Sequence, residues 1–161
     1  MAELRQKPRD NGYLLVEWLA GICLYGVFFS GLYMGISGYE RLLAMGQVAS
    51  AAREFAQDIL CTRERALAGS ALGYVELSSG RKGYRVYRRP NLVDKKRDFA
   101  SAGSAVLQFS SIPAYIIRFS VNGAPSVSGT FVLQHEKITS VQAKVSLQPV
   151  TGRVRIERVN L

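Results

Sequence analysis

The sequence predicts an α+β fold in which one long N-terminal helix, apolar in its first half and amphipathic in its second, is packed on a C-terminal antiparallel β-sheet. Three observations carry this. From Tyr13 to Ser37 there are 25 residues without a Lys, Arg, Asp, Asn, Gln or His. From Tyr39 to Ala68, apolar residues recur at three- and four-residue steps. After Gly69 the period drops to two, in short runs separated by turn residues.

The chain begins with a polar leader, MAELRQKPRDNG, in which Arg5, Lys7 and Arg9 face Glu3 and Asp10. A secretory signal peptide places its small-residue cleavage site after the apolar core. Here the small residue, Gly12, precedes the core. The run that follows would extend about 38 Å as a helix, enough to cross a hydrocarbon layer of about 30 Å. Within it lies one carboxylate, Glu17. A charged side chain at that depth costs about 2.5 kcal/mol or more, so Glu17 is a functional candidate, the alternative being a position close enough to the interface to reach water.

Five glycines punctuate this half: Gly21, Gly26, Gly31, Gly35 and Gly38. Gly31 and Gly35 have the spacing that lets helices approach closely. Each glycine also costs about 1 kcal/mol against alanine, which makes Gly31 to Gly38 a candidate bend or melting point. In the second half, Leu42, Met45, Val48, Ala52, Phe55, Ile59, Thr62 or Arg63, and Ala66 or Leu67 form one stripe. Arg53, Glu54, Asp58, Arg63, Glu64 and Arg65 form the other, with the acids expected to pair with helical bases, and Gly69 suits the stop. On a continuous helix Cys23 and Cys61 would lie about 57 Å apart, too far for a disulfide.

In the remainder, YVELSS and YRVYRR flank Gly80 to Gly83, predicting a hairpin from Tyr74 to Arg89. NLVDKKRDFASAGS reads as a loop with a charge run. AVLQFSS, AYIIRFSV, GTFVLQHE, SVQAKVSLQ and GRVRIERV follow as alternating strands. Turns are expected at Ser111 to Pro113, Asn122 to Ser128, Glu136 to Thr139 and Pro149 to Gly152.

The basic leader, Gly12, Tyr13 and the Leu14-Leu15-Val16-Glu17 sequence resemble the class III signal of type IV pilins and pseudopilins. The resemblance implies cleavage by a prepilin peptidase between Gly12 and Tyr13, methylation of the new N-terminus, and assembly with other pilins or pseudopilins in a filament. It also gives Glu17 a purpose: its carboxylate, fifth in the mature chain, would pair with the amine at Tyr13 of a neighbouring subunit, each offsetting the other's burial cost. The implied organisation is a leader at 1–12, a transmembrane half-helix at 13–38, an amphipathic half-helix at 39–69 and a sheet-bearing head at 70–161. The protein would be single-pass in the cytoplasmic membrane, leader inside and head outside, before entering a surface or periplasmic filament. IIRFSVNGAPSVSGTFVL with the near-terminal TGRVRI resembles FimT/GspH-type minor pseudopilins. EFAQDILCTRERALAGS followed by GYRVYRR resembles ComGD-type competence pseudopilins. Met34 stands where many pilins carry proline, a departure from the major-subunit pattern. An uncleaved anchor bearing an adhesin or sensor is the alternative outside this family.

The formal charge is +9, or +8 without the leader. Arg81, Lys82, Arg85, Arg88, Arg89, Lys95, Lys96 and Arg97, set against Asp94, concentrate +7 in seventeen residues. Gly152-Arg153-Val154-Arg155 matches the Gly-Arg-x-Arg motif associated with DNA capture in some FimT-type pilins. Arg88, Arg89, Lys95, Lys96, Arg97, Arg153 and Arg155 are therefore candidate DNA contacts, with docking on a partner subunit or membrane, or plain solvation, as alternatives. No cofactor, metal or catalysis is expected. The single His135 has no Cys or second His nearby, Ser110, Ser111 and Ser126 to Ser128 lack a local base, and no glycine-rich phosphate loop occurs.

Overall fold

A computed structural model describes residues 11–69, 73–112 and 115–160. Most of the leader, residues 1–10, lies outside the described residues. Helix α1 spans Asn11–Leu67. Gly69, at φ 85°, closes it by donating its N–H to the Ala66 carbonyl at 3.1 Å. The backbone from Gly31 to Gly38 is α-helical throughout, so the helix is not melted there.

Two compact units divide the chain, Met1–Glu40 and Arg41–Leu161. In the first, the described side chains from Leu14 to Glu40 are exposed except at Gly21, although most are large and apolar. The hydroxyls of Ser30 and Ser37 donate to the carbonyls of Val27 and Met34, at 2.8 and 3.0 Å. These two hydroxyls are thus satisfied within the helix and need no water.

The second unit has its own core. Strands β1 (Tyr74–Leu77), β2 (Gly83–Arg89), β3 (Leu92–Asp98) and β5 (Ile116–Arg118) form one antiparallel sheet in the order β3-β2-β1-β5. Strands β4 (Ala105–Ser110), β6 (Gly129–His135), β7 (Val141–Leu147) and β8 (Val154–Asn160) form a second, in the order β4-β6-β7-β8. The head therefore carries two sheets where the strand pattern alone suggested one. A 3-10 turn, Phe99–Ala102, separates β3 from β4. Phe55 of α1 is fully buried and joins the layers. Its ring meets Tyr84 of the first sheet, Phe99 of the turn and Phe131 of the second sheet, with centroids 4.9, 5.6 and 5.1 Å away, all edge to face.

Val48, Ala52, Phe55, Ile59, Thr62 and Ala66 are buried as their spacing predicts. Leu42 is exposed, and the small Ala44 and Ala51 take the buried side instead. The hairpin from Tyr74 to Arg89 forms in the register Tyr74 opposite Tyr87. Two further expectations fail. NLVDKKRDFASAGS contains a full strand, β3, and Asp58, assigned to the polar stripe, is buried. The two failures have one cause, since β3's inward residues are cations that meet Asp58.

Candidate assembly helix and basic face

Gly12 and Tyr13 lie in the first turn of α1. Glu17 follows one turn on, exposed, beside a shallow groove of about 330 Å³ lined by Trp18, Gly21, Ile22 and Tyr25. Gly21, four residues beyond Glu17, leaves that groove open: a Cβ there would meet nothing within 4 Å. A second groove of about 490 Å³ runs past Gly31 and Gly35 between Val27, Phe28, Leu32, Ile36 and Tyr39. This exposed apolar surface is long enough to cross a membrane by length and composition. It can take a neighbouring helix at close range, and the first groove would bring that helix beside the Glu17 carboxylate.

In the head, the candidate cations separate into two sets. Lys95 and Arg97 of β3 turn towards α1. The Lys95 ammonium donates to Asp58 Oδ1 at 3.0 Å, and the Arg97 guanidinium lies 3.7 Å from Asp58 Oδ2 and 3.9 Å from Glu54. The Tyr84 hydroxyl donates to Asp58 Oδ2 at 2.8 Å. Asp58, with its side chain 5% exposed, is thus held by a phenol and two cations, as a buried carboxylate must be. Burial, reinforced by the bond to Asp58, drives the Tyr84 phenol well above its ordinary pKa of 10.0.

A β-bulge aims these residues. Val86 pairs with Lys95 and Tyr87 with Val93, so Asp94 is an extra residue in β3. Asp94 accepts from Arg65 of α1 at 2.8 Å, and that hydrogen bond holds its carboxyl below the ordinary 3.8. Glu54 and Asp58 of the helix therefore pair with bases on β3, and Arg65 of the helix with an acid on β3, where pairing within the helix was expected. β3 is also a sheet edge, where charged side chains discourage further strand pairing. Arg88, Arg89 and Lys96 stay exposed.

Arg153 and Arg155 belong to the other sheet. Arg153 is exposed just before β8, and Arg155, 74% exposed, lies 3.2 Å from Glu157 two residues on. The glycine of the Gly-Arg-Val-Arg stretch has a packing role. Gly152, at φ 60°, sits so that a Cβ would come 2.5 Å from the Gly123 carbonyl oxygen and 3.0 Å from Arg63. Arg63 Nε donates to that same carbonyl at 3.3 Å, fastening the end of α1 to the two loops.

Sequence reasoning missed Asp58 and Tyr84, although helical phase identifies the first. Asp58 lies three residues after Phe55 and four before Thr62, on the buried stripe. His135 closes β6 as a structural residue: its Nδ1 accepts from the Lys137 and Ile138 amides, and its Nε2 faces Gln47 Oε1 at 3.2 Å. Among the described residues no cluster of His, Cys, Asp and Glu could hold a metal ion.

A long N-terminal helix whose second half packs on antiparallel sheets is a pilin-like α+β fold. Two solved structures share it, both of the type IV minor pilin FimU of Pseudomonas aeruginosa in different crystal forms. One aligns with a TM-score of 0.55 over 68% of this chain and 87% of its own length, the other with 0.52 over 68% and 91%, each at 17% identity. No protein-family profile and no curated protein sequence matches the chain.

Proposed function

We propose that this chain is a minor pilin or pseudopilin, a structural subunit that enters a type IV pilus-like filament through its N-terminal helix. The observation that carries the reading is the division of α1. One half exposes a continuous apolar surface from Leu14 onward, and the other is the spine of a separately packed head. Such an element is unusual in an enzyme, whereas a filament subunit needs a membrane store and a polymerising helix in the same segment. The similarity to the minor pilin FimU supports the reading.

In this reading prepilin peptidase cuts between Gly12 and Tyr13, and Tyr13 is methylated. Before assembly the subunit is held in the cytoplasmic membrane with its head outside. Glu17 then pairs with the Tyr13 amine of the adjacent subunit. The open groove at Gly21 supports this role, because it lets another helix approach the carboxylate. The competence, pilus and type II secretion systems all use subunits of this kind, and the FimT/GspH and ComGD types are the subfamilies that the sequence suggests.

Mass spectrometry of the membrane-extracted protein tests the first step. The expected product begins at methylated Tyr13; an intact leader in cells with active peptidase overturns the reading. Glu17→Val tests the second. It should insert at least as well as the parent, because a carboxylate costing about 2.5 kcal/mol is gone, yet crosslink less to neighbouring subunits. Unchanged crosslinking would remove the assembly role.

A further inference from the structure

The outward face of the first sheet carries an arrangement that the fold does not require. Val75 and Leu77 of β1 are buried, so the alternate residues Tyr74 and Glu76 face away from the helix. Strand register then builds two rows across all four strands. One reads Val93, Tyr87, Tyr74, Arg118; the other reads Lys96, Arg85, Glu76, Ile116. In the first row the Tyr74 and Tyr87 rings stack at 4.3 Å and 15°, and the Arg118 guanidinium lies 5.4 Å from the Tyr74 centroid. The Tyr87 hydroxyl donates to Glu76 at 2.8 Å, which fixes both rows to each other. In the second row Lys96 and Arg85 are directly opposite, a like-charge pairing that weakens a sheet. Arg85 is also opposite Glu76, which offsets part of this repulsion, yet Arg85, Lys96 and Arg118 all stay exposed on one face beside the ordered tyrosine stack, an arrangement that the stability of the sheet does not call for.

We propose that this face is a docking surface for an acidic patch on another protein, one that is not a second copy of this chain. Charge complementarity selects an acidic partner, since Arg85, Lys96 and Arg118 outnumber Glu76, whose carboxylate is already engaged by Tyr87. The composition selects a protein: half-exposed Tyr74 with exposed Arg85, Arg118 and Val93 is a mixture found at the centre of protein interfaces, while Tyr87, 9% exposed, contributes by ordering the Tyr74 ring. The geometry disfavours a nucleic acid strand. One face of Tyr74 is covered by Tyr87 and Arg118 approaches the ring as well, so the ladder offers ring edges and hydroxyls and no open platform on which bases could stack. A second copy is disfavoured because the chain's formal charge is +9, and although Glu40, Glu64, Asp98 and Glu136 are exposed they are spread over separate elements, while Glu54, Asp58, Asp94 and Glu157 are each within 4 Å of a base. The proposal rests on the head alone and does not depend on cleavage or on Glu17.

The full chain in nonionic detergent should be titrated, at low and at physiological salt, with fluorescent poly-L-glutamate and, separately, with a DNA duplex of similar charge. Poly-L-glutamate should bind at low salt, and Arg85→Glu with Arg118→Glu should weaken it by about tenfold or more, as expected when complementary charges are reversed. Arg153→Glu with Arg155→Glu, in the other sheet, should change it less than about twofold. Should the first pair unfold the head, Lys96→Glu at an exposed edge position replaces it, with a smaller loss expected and the same comparison. Equal losses from both sheets would mean diffuse electrostatics and overturn the proposal. So would tighter binding of the duplex through the same three residues, self-association of the chain by sedimentation, or no binding of poly-L-glutamate at low salt.

Discussion

Replacing Asp58 tests whether the clasp between β3 and α1 holds the head together. In Asp58→Ala the Tyr84 hydroxyl, on a residue only 2% exposed, loses its acceptor at 2.8 Å. An orphaned buried hydroxyl costs about 1–3 kcal/mol. Lys95 and Arg97 are 42% and 40% exposed, so water recovers most of what they lose, and together they add about 1 kcal/mol. The expected cost is about 2–4 kcal/mol, a large part of the roughly 5–15 kcal/mol that holds a small domain together.

Urea unfolding of a truncation beginning at Tyr39, followed by circular dichroism, would measure this. That fragment retains every residue of the second unit's core. Tyr84→Phe should cost about 1–2 kcal/mol by itself, since it removes one charge-assisted hydrogen bond. Combined with Asp58→Ala it should cost less than the sum of the two by about 1–2 kcal/mol, because the orphaned hydroxyl is then absent. Asp58→Asn keeps an acceptor for Tyr84 while removing the charge, and should fall between the wild type and Asp58→Ala. A cost for Asp58→Ala below about 0.5 kcal/mol, or strict additivity in the double variant, would refute the reasoning.

Three further outcomes are expected. Burial and the bond to Asp58 raise the folded pKa of Tyr84 above 10.0, so its stabilising contribution is fully present below pH 10 and declines as pH rises above it; alkaline unfolding should be shallower in Tyr84→Phe. The hydrogen bond from Arg65 depresses the folded pKa of Asp94 below 3.8, so that contribution is present above pH 3.8 and fades as pH falls below it. Its size is at most about 0.5 kcal/mol for a pair this exposed, measured as the difference between wild type and Arg65→Ala in acid titration. Gly152→Ala should cost about 1–3 kcal/mol in urea unfolding, from its left-handed backbone and the approach of a new Cβ to the Gly123 carbonyl.

The long helix was legible because its two signals are strong and local. The run of 25 residues with Glu17 as its one charge and the spacing of Val48, Ala52, Phe55, Ile59 and Ala66 each depend on one stretch of chain. Strands β6 and β7 were legible for the same reason, β7 alternating inward apolar residues with half-exposed ones over its whole length and β6 doing so around Phe131 and Leu133. β3 was not, because its inward side is Lys95 and Arg97. A strand whose inward side chains are charged looks like a loop until the carboxylate it faces is known, and that carboxylate is 37 residues away. Asp58 was misplaced by the converse error, its charge being allowed to outweigh its helical phase.

The same distinction governs the basic residues. Counting charges from Arg81 to Arg97 treats them as one patch, but a strand sends alternate side chains to opposite faces, and the bulge at Asp94 shifts that alternation. Lys95 and Arg97 consequently neutralise a buried acid, while Lys96, between them in sequence, faces outward beside Arg85. Gly-Arg-Val-Arg is divided in a similar way. Its glycine is required by the contact with Gly123 and Arg63, Arg155 lies against Glu157, and Arg153 is left exposed before the strand. Cations that already compensate an acid of their own chain have least to offer a partner. The outward row keeps Arg85 and Lys96 exposed on one face, and a substitution series on that row separates an interaction surface from a solvated one more sharply than any change in the total charge.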